Sequence, residues 1–181
     1  MRIIGGSAKG RKFKVPKGFD SRPTTDFARE SLFNILNHRI DFNGIRALDL
    51  CSGTGSLSYE LASRGANEVI AVDKNVRCVA YVKEQIMKFQ LPQVRVIKTD
   101  VKRFLEKVSG NFDLILADPP FDIQPFEQWL KIIVSRGLLE ENGLIVLEHG
   151  GEVNYSSFDS HQETRKYGQV HFSFFTLDKH E

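Results

Sequence analysis

"LDLCSGTGSLSYELASRG", Leu48 to Gly65, decides the fold. Gly53 and Gly55 fall directly after an apolar strand-like run and just before a helical stretch, where backbone must approach a ligand without a Cβ in the way. This is a nucleotide-type loop. A dinucleotide fingerprint of the form GxGxxG would place a glycine where Ser58 stands, and Cys51 occupies the first glycine position of a D-x-G-x-G-x-G loop. Asp49 precedes the loop, and a carboxylate there suits a cationic ligand better than a pyrophosphate, which it would repel. S-adenosylmethionine is such a ligand. The plain alternative is a tight strand-to-helix turn that binds nothing.

Outward from this unit, "RALDLC", "EVIAVD", "VRVIKT", "FDLILAD" and "GLIVLEH" are short runs rich in Val, Ile and Leu, separated by stretches with helical spacing such as Val79, Val82 and Ile86. Strands alternating with helices predict a parallel sheet covered on both faces. Near the end, "ETRKYG" and "QVHFSFFTL" meet at Gly168 with no room for a helix, which predicts an antiparallel hairpin. The sum is an α/β fold with a seven-stranded, mostly parallel sheet and an antiparallel last strand. Upstream, Ala28, Leu32, Ile35 and Leu36 recur at helical spacing from an N-cap at Thr25 or Asp26 to about Asn37. "RIIGG" and "RKFKV" around "SAKG" read as a small N-terminal β-hairpin. The 181 residues fit one domain, with 1–24 as a basic arm and 25–181 as the core.

Residues 1–22 carry Arg2, Lys9, Arg11, Lys12, Lys14, Lys17 and Arg22 against only Asp20, so the arm is strongly positive within a chain of net charge +2. A basic arm suggests a polyanionic partner, although a solvated surface hairpin would look the same. No apolar run approaches the ~20 residues that cross a bilayer, and "MRIIGGSAKG" lacks a signal-peptide h-region, so a soluble, cytoplasmic protein without a membrane partner is expected. Cys51 and Cys78 form neither a disulfide framework nor a zinc spacing, and the five histidines are scattered. No metal site is expected.

Asp73 ends the second strand eighteen residues past Gly55, where an acid can accept bonds from both ribose hydroxyls of an adenosine. Asp100 ends the third strand, and its simpler role is the N-cap of "VKRFLEK". Carboxyl ends of adjacent strands line one crevice, so Asp49, Asp73, Asp100 and Asp118 are expected to converge. "ADPPFD", Ala117 to Asp122, leaves the fourth strand. Proline donates nothing to a sheet ladder and keeps the preceding residue extended, so Asp118 and Pro119 offer a carboxylate and a free carbonyl as two fixed acceptors. Two acceptors can hold both hydrogens of an exocyclic amine and aim its lone pair, while Phe121 offers a face on which a base can stack.

These residues resemble the Rossmann-like class I methyltransferases, and in particular the bacterial small-subunit rRNA guanine-N2-methyltransferase family RsmD. The resemblance spans nearly the whole chain: "RIIGGSAKGRKFKVP", "RPTTDFARESLFNIL", the glycine loop, "VDKN", "DLILADPPF" and the aromatic closing strand. It implies methyl transfer from S-adenosylmethionine to N2 of guanine 966 of 16S rRNA, in the small subunit or an assembly intermediate, by a monomer. Carried over by position, Asp49, Cys51, Gly53 and Gly55 resemble the loop at the methionine end. Asp73 with Lys74 resembles the ribose site, and Asp100 with Val101 the adenine contact. Asp118, Pro119, Pro120 and Phe121 resemble the amine clamp. "RPTT", Arg22 to Thr25, resembles the loop closing near cofactor and substrate, with Thr24 and Thr25 on the cofactor side. Arg2, Lys9, Arg11, Lys12 and Arg22 resemble RNA contacts. The family's Arg-Gly-Arg arm element reads Lys9-Gly10-Arg11 here, which keeps the charge but loses one bidentate fork. The helix before the last hairpin is replaced by "GGEVNYSSFDS", which predicts a looser edge.

Four other readings compete. A DNA amine methyltransferase uses a similar clamp but needs a target-recognition region for which there is no space. A protein-glutamine methyltransferase gives no reason for the basic arm. A non-catalytic RNA-binding module would not keep Asp118 to Phe121. Ser58 and the closing hairpin weaken an NAD-dependent oxidoreductase.

Overall fold

Leu114, Ile115, Leu116 and Ala117 form an unbroken apolar run because both faces of their strand are covered, and successive residues feed opposite cores. The computed structural model describes residues 1–15, 19, 25–120 and 126–177. Its elements in chain order are α1 (Asp26–Asn37), β1 (Arg46–Leu50), α2 (Ser56–Ser63), β2 (Glu68–Asp73), α3 (Val76–Phe89), β3 (Val94–Lys98), α4 (Val101–Leu105), β4 (Phe112–Ala117), α5 (Phe126–Ser135), β5 (Leu139–His149), β6 (His161–Tyr167) and β7 (Val170–Phe175). The seven strands lie in the order β3-β2-β1-β4-β5-β7-β6. The first five are parallel, and β7 is antiparallel to both β5 and β6. The expected closing hairpin is present, turning at Gly168 with φ +65°. Thr25 is the N-cap of α1, its side chain accepting from Ala28 N at 3.1 Å.

One face of the sheet carries α1, α2 and α3 over Ala47, Val69, Leu114, Val146 and Phe174; the other carries α4 and α5 over Leu48, Ile70, Ile115 and Phe175. The N-terminal segment makes a single antiparallel bridge, Arg2 to Lys12, and buries Ile3, Ala8 and Phe13 in the first core. Its grip is on α2. Glu60 accepts from Ile4 N and Gly5 N at 2.8 Å each, Ser63 Oγ accepts from Ala8 N, and Ser7 N donates to the Ser63 carbonyl at 2.7 Å. Arg29, fully buried on α1, donates to the Arg2 carbonyl and to Asp26 Oδ1, which ties the arm to a second helix. All eight residues of α2 are buried as a result.

No helix forms between His149 and His161, as the sequence predicts, yet the segment is anchored. Tyr155 is buried in an aromatic cluster with Phe126, His149, Phe158 and Phe175, which offsets the missing helix.

Candidate functional site

The glycine loop is held in place by groups on its neighbours. Ser52 N donates to Val72 O at 3.0 Å, and Gly53 N donates to Asp73 Oδ2 at 2.8 Å. Cys51, Gly53 and Gly55 all take positive φ, at 63°, 52° and 77°. Cys51 therefore adopts the left-handed conformation of the glycine whose place it takes, at a strain of about 1 to 2 kcal/mol. Gly55 is the N-cap of α2 and makes no side-chain cap, and the amide of Ser58 in the first turn donates to Asp49 instead. A Cβ on Gly55 would also strike the Tyr59 ring, within 2.6 Å of its hydroxyl.

Asp49 lies beneath this loop, fully buried, and receives a hydrogen bond from the Ser58 hydroxyl. Its Oδ1 has no partner. Burial pushes its pKa up to about 7, with Ser58's hydrogen bonds pulling down and Asp73 adding a smaller upward push. Asp73, half-exposed, spends one lone pair of each oxygen on Gly53 N and on Asn75 N, leaving the others free for a diol. Lys74 beside it is exposed.

Asp118 continues the ladder one residue beyond β4: its N donates to Leu50 O at 3.1 Å. Pro119 and Pro120 then end the pairing, because neither has an N–H. Burial pushes the Asp118 carboxyl well up, and the charges of Glu148 and Asp49 push it further. Three acids, Asp49, Asp73 and Asp118, thus surround Cys51, whose thiol is driven up by burial and then by all three. Such a thiol does not ionise at neutral pH, so Cys51 has a packing role. Asp100 stands two strands out, exposed, as the N-cap of α4, accepting from Arg103 N at 3.2 Å; Val101 behind it is buried. Phe121, Thr24 and Arg22 lie outside the described residues, and Thr25 caps α1.

The arm packs Phe13 edge-on against Tyr59, the ring beside Gly55. Its turn docks on the C-terminal end of α2, at Ser63, and the Arg11 guanidinium donates to the Phe89 carbonyl at the end of α3. Arg2, Lys9 and Lys12 are exposed. Sequence reasoning misses the parts played by Ser58, Glu60 and Glu148. Glu148 has a signal of its own, since it lies next to the carboxyl end of β5, as the aspartates lie at or near the carboxyl ends of their strands.

The unpaired Asp49 Oδ1 and the acid-lined, glycine-walled mouth fit S-adenosylmethionine. Asp49 suits its cationic groups, Asp73 its ribose diol, and Val101 its adenine. Residues 1–176 match the family model described as Conserved hypothetical protein 95. The Ribosomal RNA small subunit methyltransferase D of Haemophilus influenzae is 34% identical over 152 residues, covering 82% of this chain and 78% of that protein.

The chain belongs to the RsmD family.

Its relatives include YlbH of Bacillus subtilis, 39% identical over 157 residues and 84% of each chain. Among solved structures, a hypothetical protein of Thermus thermophilus superposes with a TM-score of 0.85 at 29% identity, covering 98% of this chain and 99% of that one. The RsmD membership and this superposition bear out the Rossmann-like methyltransferase architecture read from the sequence. Among the described residues, no helix is long and apolar enough to cross a membrane.

Proposed function

We propose that this RsmD-family chain transfers a methyl group from S-adenosylmethionine to the exocyclic N2 amine of guanine 966 in 16S rRNA. The substrate is the small ribosomal subunit or an assembly intermediate, and the enzyme acts in the cytoplasm as a monomer. The observation that carries this reading is the position of Asp118, anchored to Leu50 at the carboxyl end of β4, beside the glycine loop and ahead of two prolines. The cofactor supplies an already activated methyl, so the chain's task is placement, which can lower the barrier by up to ~7 to 11 kcal/mol. Asp118 and the Pro119 carbonyl accept the two amine hydrogens and aim the nitrogen lone pair; Phe121 stacks on the base. Once the nitrogen–carbon bond has formed and the carbon–sulfur bond has broken, the amine's extra proton passes to Asp118 or water. Turning the guanine outward costs a few kcal/mol, which phosphate contacts by Arg2, Lys9, Arg11, Lys12 and Arg22 offset.

The test is direct. Unmethylated small-subunit particles and duplex DNA are each incubated with labelled S-adenosylmethionine, and the digested rRNA is mapped by mass spectrometry. The expected product is N2-methylguanosine at 966. Label in duplex DNA, or a methyl on another base, overturns the assignment.

A further inference from the structure

At the amino ends of the parallel strands, Arg46 and Arg95 pair with Glu68, Arg39 with Glu163, and Arg64 with Glu60. The carboxyl ends of β2 and β3 are different. Lys74 follows β2, Arg77 sits in the first turn of α3, Lys98 ends β3, and Lys102 and Arg103 lie in the first turn of α4. All five are exposed. Only Lys102 has a carboxylate nearby, Glu106 at 3.9 Å; the described residues place none within 4.0 Å of the other four. The acids of the same rim are already engaged. Asp73 accepts from Gly53 and Asn75, and Asp100 accepts from the Arg103 amide.

Like charges gathered without counter-ions repel one another and hold a concentrated positive potential over the surface beside them. This crescent belongs to three separate elements, so no single solvated helix face accounts for it. It also borders Asp73 and Val101, on the cofactor side of the mouth; the turn of the arm docks at the far end of α2, and Lys14 and Phe19 of the arm meet α3 at Tyr81, one helical turn from Arg77.

We propose that Lys74, Arg77, Lys98, Lys102 and Arg103 form a track for the phosphate backbone of the RNA strand that carries the target base. The inference rests on the methyltransferase reading above and adds to it a second electrostatic contact, on the side of the mouth away from β5. The test compares two triple variants with the wild-type chain for affinity to a labelled, unmethylated 16S rRNA fragment across a series of salt concentrations. One carries Arg77→Gln, Lys98→Gln and Arg103→Gln. The other, equal in charge, carries Lys88→Gln, Lys107→Gln and Lys131→Gln elsewhere on the surface. The crescent variant is expected to bind at least about tenfold more weakly and to lower the slope of log affinity against log salt by about 2, with S-adenosylmethionine affinity unchanged. The control is expected to keep the wild-type slope. Equal slopes in the two variants, or a wild-type slope in the first, overturn the track. Methyl transfer to particles by the wild-type chain is measured in parallel: transfer that is intact while the slopes are equal removes only the track, and absent transfer removes the reading beneath it.

Discussion

Gly53 N donates to Asp73 Oδ2 at 2.8 Å, so the glycine loop after β1 and the acid that ends β2 are one mechanical unit. The acid and the loop cannot be altered separately. Asp73→Ala is expected to weaken S-adenosylmethionine binding by about 10- to 100-fold, since it removes both the ligand's acceptor and the loop's brace. Asp73→Asn should recover part of this, because an amide oxygen can still accept from Gly53. Calorimetric titration of the two variants checks it; equal losses would mean the brace contributes nothing.

Asp49 titrates near neutrality, and this gives cofactor binding a pH dependence. Its pKa is pushed up to about 7, so the carboxyl is largely neutral at pH 6 and largely charged at pH 8. A cationic ligand prefers the carboxylate, so affinity should rise with pH through about 7. The folding linkage runs the other way. A raised carboxyl contributes stability that is complete below the ordinary carboxylate range and is lost as pH rises through about 7. Thermal unfolding of the ligand-free protein should therefore show lower stability at pH 8 than at pH 6, relative to Asp49→Asn. Ser58→Ala removes a bond that favours the charged form, and should move the midpoint of the binding profile to higher pH.

Asp118 sits under the negative charge of Glu148, which raises its pKa along with burial and Asp49. In the proposed transfer Asp118 is an acceptor, so the rate should climb with pH on its acid limb. Glu148→Gln removes a like charge and is expected to shift that limb to lower pH. Asp118→Ala should reduce transfer at least about 100-fold while leaving cofactor affinity within about threefold. A pH–rate profile unmoved by Glu148→Gln would show that Asp118 does not control the limb.

Gly6 and Gly10 share positive φ, +74° and +84°, but only Gly6 is crowded: a Cβ there would lie 1.7 Å from the Ser63 carbonyl oxygen, whereas at Gly10 nothing lies within 4 Å. Gly10→Ala should cost about 1 to 2 kcal/mol of stability, the left-handed strain alone. Gly6→Ala should cost clearly more, because the arm must lift from α2. Chemical denaturation distinguishes them, and similar losses would mean that docking of the arm adds little.

Legibility followed sequence distance. The sheet was readable because runs such as Leu114 to Ala117 fill two cores in alternation, a pattern written in consecutive residues. Asp49, Asp73 and Asp118 come together because strand ends in a parallel sheet fall along one crevice, whereas Asp100, expected to join them, stands apart as the N-cap of α4. Glu148 obeys the same rule but is embedded in β5, where it reads as part of the strand. Ser58 and Glu60 could not be read at all: one acts through a partner nine residues back, the other through amides 55 and 56 residues away, and the residue types alone show neither. The arm's charge was plain, but its course toward Ser63 depends on Gly6 fitting against a helix end that composition does not reveal.

The docking of residues 3–8 on α2 changes how any shortened version of this chain must be read. Stripping the first dozen residues would uncover an eight-residue helix with no water-facing side of its own, and the glycine turn is the entrance to that helix. Such a truncate would lose its grip on S-adenosylmethionine and on RNA together, and a binding assay would credit the arm's cations with a failure that began in the core. Charge-neutralising point substitutions keep that cover in place and separate the two effects.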